Sequence, residues 1–478
     1  MPVIQQGAGM HISRHTLLSL FILLTLAVSA VPAFALHPEA KIPDQVDNSH
    51  QSCKVLLDIA AKYKIEGVFP KEFLEGKQQL ARIDIAASLN LISEKLAEKV
   101  IKEGAAAISS EDLNQLQEIE EDLRSEMLLV HTRTFQTRNE GLGTTLYPLT
   151  KNISLSGSLV GVFQNSIGNK QQKDGGDATG RGDLVLNFKI TDSTIAVIDI
   201  RATGGTGIDQ RVASLGGLNG LATDDGDNVR FYKAFVEQSL FDDRLIASLG
   251  KIDITDYFDN NTVANDETSQ FLAGLFTNAP TVSFPLNGPG ARVHAKLGDS
   301  LTFGVGYASS TASGDNITAN GFGIAELDAK VSIGELQGNY RIYGAVDASK
   351  PDNSVKTQNK SAYNAGISID QQLTDKLTIF ARYAQREKNI YQTDRSWSAG
   401  LQYTGLIPGR NEDTCAVAYG QIAGAELSAQ EKLVETYYSI KLHDKINVAP
   451  VFQYIMQPTG NRDADDVAIL GIRSQVMF

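Results

Sequence analysis

The stretch "VAILGIRSQVMF", Val467–Phe478, closes the sequence and decides how the rest is read. Counted back in twos from Phe478, one face holds Val476, Ser474, Ile472 and Leu470, and the other holds Met477, Gln475, Arg473 and Gly471. Successive strand residues point to opposite faces. One face is therefore mostly apolar, and the other carries a guanidinium and an amide. Chain ends usually fray, whereas a last strand with this pattern and an aromatic end is expected to be paired on both sides.

The same texture runs upstream as far as Gly141. In "SLTFGVGYA", Leu301, Phe303, Val305 and Tyr307 alternate with Thr302, Gly304 and Gly306. In "VETYYSIKL", Val434, Thr436, Tyr438, Ile440 and Leu442 alternate with Glu435, Tyr437, Ser439 and Lys441. "LVLNFKIT", "ARVHAKL" and "KLTIFARYA" repeat the pattern. Alternation alone also fits a soluble β-sandwich or a β-helix. Length favours a barrel: at about 20 residues per strand and loop, residues 141–478 fill roughly 16 strands. Closure matters because lipid cannot satisfy an open sheet edge. The expected fold is mainly β, a closed antiparallel transmembrane β-barrel of about 16 strands with a small α-helical N-terminal periplasmic domain.

At the other end, Arg14 precedes the apolar run "LLSLFILLTLAVSAV", and Ala33-Phe34-Ala35 follows it. This is the layout of a secretory signal peptide over residues 1–35. The alternative, a retained anchor helix, needs a longer run. The 42 Gly, 15 Tyr and 19 Phe, with a mean hydropathy of -0.15, suit strands whose second face is polar. A net charge of -13 argues against a nucleic-acid partner. Cys53 and Cys415 make neither a disulfide framework nor a zinc-spaced cluster.

Residues 36–107 carry apolar positions at helical spacing, as in "VLLDIAAKY" and "RIDIAASLNLISEKL", and are expected to form a helical domain. Residues 108–140 read as a helical linker opened by Ser109 and Asp112 at capping-box spacing. Its Leu116, Ile119, Leu123 and Val130 follow a partial heptad that fails at Glu126 and Arg133. Both a helix lying on its own domain and a coiled coil remain open.

Three segments carry a family resemblance: "LGKIDITDYFDNNTVANDETSQFLAGLFTNAPTVSFPLNGPGARV", "AGLQYTGLIPGRNEDTCAVAYGQ" and the last strand pair with its turn. They resemble the OprB-type carbohydrate-selective porin family. Its closing pattern maps onto Gln453, Tyr454, Pro458, Gly460, Gly471, Arg473 and Phe478, and the resemblance implies that Phe478 is the tag read by the outer-membrane assembly machinery. Phe69, Pro70, Phe73, Leu80, Ala81, Arg82, Ala86 and Ala87 are similar to an S-layer-homology domain. They depart from it at Ala81, usually Thr, and at "PKE" in place of an acidic turn. By this resemblance Phe69, Pro70 and Arg82 are the cell-wall-binding candidates. The combination looks like the major porins of cyanobacteria and implies the outer membrane of a Gram-negative bacterium, a periplasmic N-terminal domain and a homotrimer.

No catalytic constellation, metal cluster or cofactor motif emerges. "RGD" at Arg181–Asp183 reads as a solvated turn in a Gly- and Asp-rich loop more readily than as an adhesion motif, and the acids of Asp224–Asn228 read as another turn more readily than as a calcium site. A charge on the lipid face costs about 2–4 kcal/mol, so Arg201, Arg292, Lys296, Arg341, Arg382, Glu435, Lys441 and Arg473 are expected to line the pore. They either face the solute or pair with lumen acids such as Asp253 and Glu237. Arg292, Arg382 and Arg473 are expected near the narrowest section, where they would make the potential positive. The long segment Asp259–Gly290 breaks alternation and contains Phe271, Phe276 and Phe284, the candidates for a constriction loop.

The function expected is passive diffusion of sugars, ions or both, without chemistry, in contact with outer-membrane lipids. A second reading is a tether gripping peptidoglycan-linked polysaccharide through the N-terminal domain. A third is a sheath for an electron-transfer partner.

Overall fold

Alternation along the second part of the chain becomes a continuous ladder in the computed structural model. The structure describes residues 42–478, except 44, 104–106, 124–125, 128–146, 151–152 and pieces of turns and loops at 171–172, 192, 223–226, 299, 312, 316, 319–320, 335, 349–360 and 444. The signal peptide expected over 1–35, Val130 and Arg133 of the broken heptad and most of the acids of Asp224–Asn228 lie outside the described residues.

The barrel strands are β1 (Ile153–Ile167), β2 (Gly176–Thr191), β3 (Thr194–Gly204), β4 (Asn228–Leu240), β5 (Leu245–Ile252), β6 (Gly288–Lys296), β7 (Leu301–Ser309) and β8 (Gly321–Ile333). They continue as β9 (Leu336–Asp347), β10 (Ala362–Gln372), β11 (Leu377–Arg386), β12 (Arg395–Thr404), β13 (Thr414–Ala423), β14 (Glu431–His443), β15 (Ile446–Met456) and β16 (Val467–Met477). Each pairs antiparallel with its sequence neighbours, and β16 pairs with β1 to close the ring, with Met477 opposite Ser158 and Ala468 opposite Ile167. The fold is a closed antiparallel barrel of 16 strands. A short strand, Tyr147–Thr150, pairs with the start of β1 and extends the seam past Phe478.

Along β16, Leu470 and Ile472 are exposed outward, while Ile469, Arg473 and Gln475 are buried inward. The inside is not uniformly polar. Leu433, Val451, Ile455, Val467 and Ile469 all point inward and are buried. Wall residues this apolar need a cover, and the loops provide it. Most connections at one end of the barrel are short. Turns such as those after β2, β4 and β8 are tight. At the opposite end, residues 205–227 join β3 to β4 and residues 253–287 join β5 to β6.

Ahead of the barrel come helices α1 (Gln51–Tyr63), α2 (Lys71–Leu74), α3 (Arg82–Glu103) and α4 (Ser110–Asp122). Ser109 caps α4 by accepting from the Asp112 amide at 3.2 Å, while the Asp112 carboxylate turns away to Lys62 at 2.6 Å and Tyr63 at 2.5 Å. Only half of the capping box forms, because Lys62 offers a charge-assisted bond that the Ser109 amide does not. Ala81 and Ile83 belong to the same buried apolar cluster as Ile195 and Val197, which point inward at the tight-turn end of β3. Among the described residues no helix is long and apolar enough to cross a membrane.

Candidate functional site

Residues 253–287 lack a strand period and are rich in apolar and small polar residues, so they can neither join the ladder nor stay in water. They fold back into the barrel. Phe271 and Phe276 are fully buried, with ring centroids 5.2 Å apart, and Phe271 also packs on Phe380 at 5.7 Å and Tyr437 at 5.2 Å. These loop residues share one core with the apolar wall of β13–β16. On another side Tyr257, Phe258, Ala279 and Val282 pack against Phe235, Phe322 and Tyr343, and Phe284 is half-buried with its ring 5.6 Å from that of Phe322. The three constriction-loop candidates are thus all inside the barrel, two of them in full contact with its wall.

The charged wall residues bind this loop rather than a free lumen. Arg382 donates to the carbonyls of Phe276 at 2.7 Å, Asp259 at 2.9 Å and Ala264 at 3.0 Å, and pairs with the Asp259 carboxylate at 3.0 Å. Arg473 donates to the carbonyls of Gln270 at 2.6 Å and Glu267 at 2.9 Å. Arg341 holds the Asn260 carbonyl at 2.9 Å and pairs with Asp370 at 3.0 Å. Glu435 accepts from the amides of Leu272 at 2.5 Å and Ala273 at 2.9 Å. Buried charges persist where paired and fully hydrogen-bonded; here the unpaired backbone of an irregular loop supplies the partners.

Of the remaining expected pore residues, Arg292 pairs with Glu237 at 2.5 Å and lies 4.3 Å over the Tyr257 ring. Lys296 is exposed at the tight-turn rim, and Lys441, near the same rim, reaches Glu412 at 3.0 Å. Arg201 faces the open part of the interior. The positive narrow section expected from Arg292, Arg382 and Arg473 is therefore not what the geometry gives. All three are buried against acids, aromatic rings or loop carbonyls.

A polar cavity of about 380 Å³ lies between β1–β4, β16 and the inward loop. Here a second expectation is corrected. Arg181–Asp183 form no turn but lie within β2, with the side chains of Arg181 and Asp183 lining the cavity. Asp183 pairs with Arg181 at 2.6 Å and Arg201 at 2.5 Å, and Arg181 also reaches Glu267 of the loop. Lys233 pairs with Asp256 of the loop at 2.5 Å. The Arg201 guanidinium stacks 3.2 Å over the Tyr232 ring, whose hydroxyl donates to Asp253 at 2.8 Å. Asp253 thus meets Tyr232 instead of one of the expected arginines, while Glu237 does take Arg292.

In the helical part, Phe69 is buried with its ring centroid 5.1 Å from that of Phe73, and Pro70 is exposed. Arg82 is buried, pairing with Glu126 at 2.9 Å and Asp122 at 3.3 Å. Burial alone would push the Glu126 carboxyl up, but the Arg82 hydrogen bonds and the charges of Lys189 and Arg82 outweigh it and hold the group below its ordinary value.

A profile of the family described as carbohydrate-selective porin, OprB family, matches residues 179–478. The Porin AaxA of Chlamydia muridarum is 23% identical over 233 residues, 46% of this chain and 49% of that protein. The chain thus spans about half the length of the chlamydial porins it matches. An uncharacterized protein of Nostoc sp. is 21% identical over 481 residues, covering 89% of this chain and 82% of that one. Among solved structures, Pseudomonas putida OprB at high pH superposes with a TM-score of 0.60 and 16% identity, over 69% of this chain and 94% of that one. At that identity the likeness is one of fold.

Proposed function

The chain belongs to the carbohydrate-selective porin, OprB family, and from that premise we propose that it is an outer-membrane porin, a water-filled channel for passive diffusion of small hydrophilic solutes, sugars or ions. The observation that carries the reading is the inward loop of residues 253–287, which fills one side of the closed barrel and leaves a polar cavity on the other. A loop held by buried arginines narrows a barrel without blocking it, and conduction needs weak, polar contacts along the remaining path.

The helical part then faces the periplasm, where the tight-turn end of a porin barrel lies, and the assembly we expect is a homotrimer. The tether reading stands second. Of its three expected wall-binding residues, Phe69 and Arg82 are engaged internally and Pro70 is exposed. The channel reading is tested by inserting the detergent-purified full chain into planar bilayers. Stepwise conductance supports it; silent bilayers with protein of barrel circular dichroism would end it. Native mass spectrometry of the same sample reads the assembly, and a single-chain mass removes the trimer.

A further inference from the structure

The polar cavity is not charge-balanced, and the imbalance has a definite sign. Its three cations are each tied. Arg181 and Arg201 meet Asp183, Arg181 also meets Glu267, and Lys233 meets Asp256. Three carboxylates of this one cation group are thereby matched. The same cavity is lined by three more acids, Asp199, Asp253 and Asp266. Asp253 is hydrogen-bonded by the hydroxyls of Tyr232 and Thr255, and Asp266 by the Thr268 amide and the hydroxyls of Thr268 and Ser269, all neutral donors.

Asp199 is the informative one. It projects inward from the middle of β3, is 4% exposed, and its Oδ1 has no hydrogen-bond partner. Buried carboxylate oxygens are ordinarily satisfied; this one is closed off and unpaired, so the charge of Asp199 is left to act on the cavity that the residue lines. A carboxylate accepts and does not donate, and the occupant it suits is a cation or a protonated amine or guanidinium.

Resting on the channel reading, we propose that this cavity is a cation-selective passage, in which Asp199, with Asp253 and Asp266, favours potassium-like ions and positively charged organic solutes over anions. The field of a confined, low-dielectric passage is focused and only partly screened by bulk salt, so an excess of three carboxylates outweighs distant surface charge. The arginines do not reverse the sign, because each is neutralised within the wall or by the loop.

The test is the zero-current potential of the full chain in a planar bilayer across a potassium chloride gradient, with Asp199→Asn and Asp253→Asn as variants. Asn keeps the shape of Asp, so the barrel is expected to form in both. The expected result is a potential of the sign reporting potassium over chloride, shifted toward zero in Asp199→Asn and shifted the same way in Asp253→Asn. Conductance with no preference, or with chloride preferred, would overturn the proposal while leaving the channel intact. Cation preference unmoved by both substitutions would overturn the role of these carboxylates. Silent bilayers would remove the channel reading and this proposal with it.

Discussion

Arg382 and Asp259 hold each other 3.0 Å apart with both side chains dry, one on barrel strand β11 and the other at the start of the inward loop. The pair is a latch. Asp259 also accepts from the Ala279 amide at 2.7 Å, so one carboxylate ties both limbs of the loop to one guanidinium. Removing one partner of a buried pair leaves the other charge uncompensated, at a cost of about 3–5 kcal/mol. Arg382→Gln is therefore expected to lower the thermal midpoint in detergent and to make single-channel current noisier as the loop loosens. Quiet wild-type traces from a folded Arg382→Gln protein would show that the loop is held by other contacts alone.

Phe271 tests the apolar half of the same device. It is fully buried and touches Phe276, Phe380 and Tyr437. Phe271→Ala is expected to cost about 3–5 kcal/mol and to increase mean conductance, because the vacated volume adjoins the loop and not the lipid. Phe303→Ala, which removes an outward ring from β7, should leave conductance unchanged. Equal effects of the two on conductance would sink the assignment.

The barrel was legible in the sequence because most strands put apolar residues outward. The inward loop was legible as a long interruption containing three phenylalanines. The cavity was not, and β2 shows why. Its outward positions Gly180 and Gly182 carry no side chain, so "DATGRGD" displays no apolar face and reads as a loop, although Arg181 and Asp183 alternate with those glycines. The destination of the arginines was also hidden. Register fixes the face a side chain takes, but whether it meets solute or a loop carbonyl depends on how residues 253–287 return. That return sets partners far apart in sequence, as with Arg473 and the Gln270 carbonyl. Glu431, which accepts from the amides of Leu215, Gly216 and Thr459, pins the other long loop in the same way and left no sequence signal beyond its charge.

The helical part should respond to acid through Glu126. Its folded carboxyl is held below the ordinary value by Arg82 and Lys189, so it binds its proton more weakly folded than unfolded. The stability it adds is fully present above the unfolded value of about 4.3 and is lost as pH falls through the lower folded value. Hydrogen exchange of α3 and α4 in the full chain is expected to quicken in that acid window, after correction for intrinsic rates. Glu126→Gln should exchange faster already at neutral pH and show a smaller acid dependence. An acid response in Glu126→Gln as large as in the wild type would assign the effect to other carboxylates.

Phe478 and Gly157 meet at the seam where the barrel closes. Their backbones exchange two hydrogen bonds, from the Gly157 amide to the Phe478 carbonyl at 2.9 Å and from the Phe478 amide to the Gly157 carbonyl at 3.0 Å. The Phe478 ring folds over the glycine. A Cβ there would stand 2.6 Å from Phe478 Cζ and 2.5 Å from the Asp183 carbonyl oxygen. The ring could rotate away, but the carbonyl belongs to the ladder with β2 and cannot yield without breaking register. Gly157→Ala is thus expected to reduce the fraction of chain recovered as closed, heat-resistant barrel, read by its shifted mobility on an unheated gel. Adding Phe478→Ala should not rescue it, since the backbone clash remains. Gly161→Ala on the same strand is the control: its nearest neighbour would be Ser474 Oγ at 3.5 Å, ordinary contact. If Gly157→Ala and Gly161→Ala closed equally well, the seam would be looser than these distances describe, and the terminal aromatic would owe its place to recognition during assembly and not to packing on Gly157.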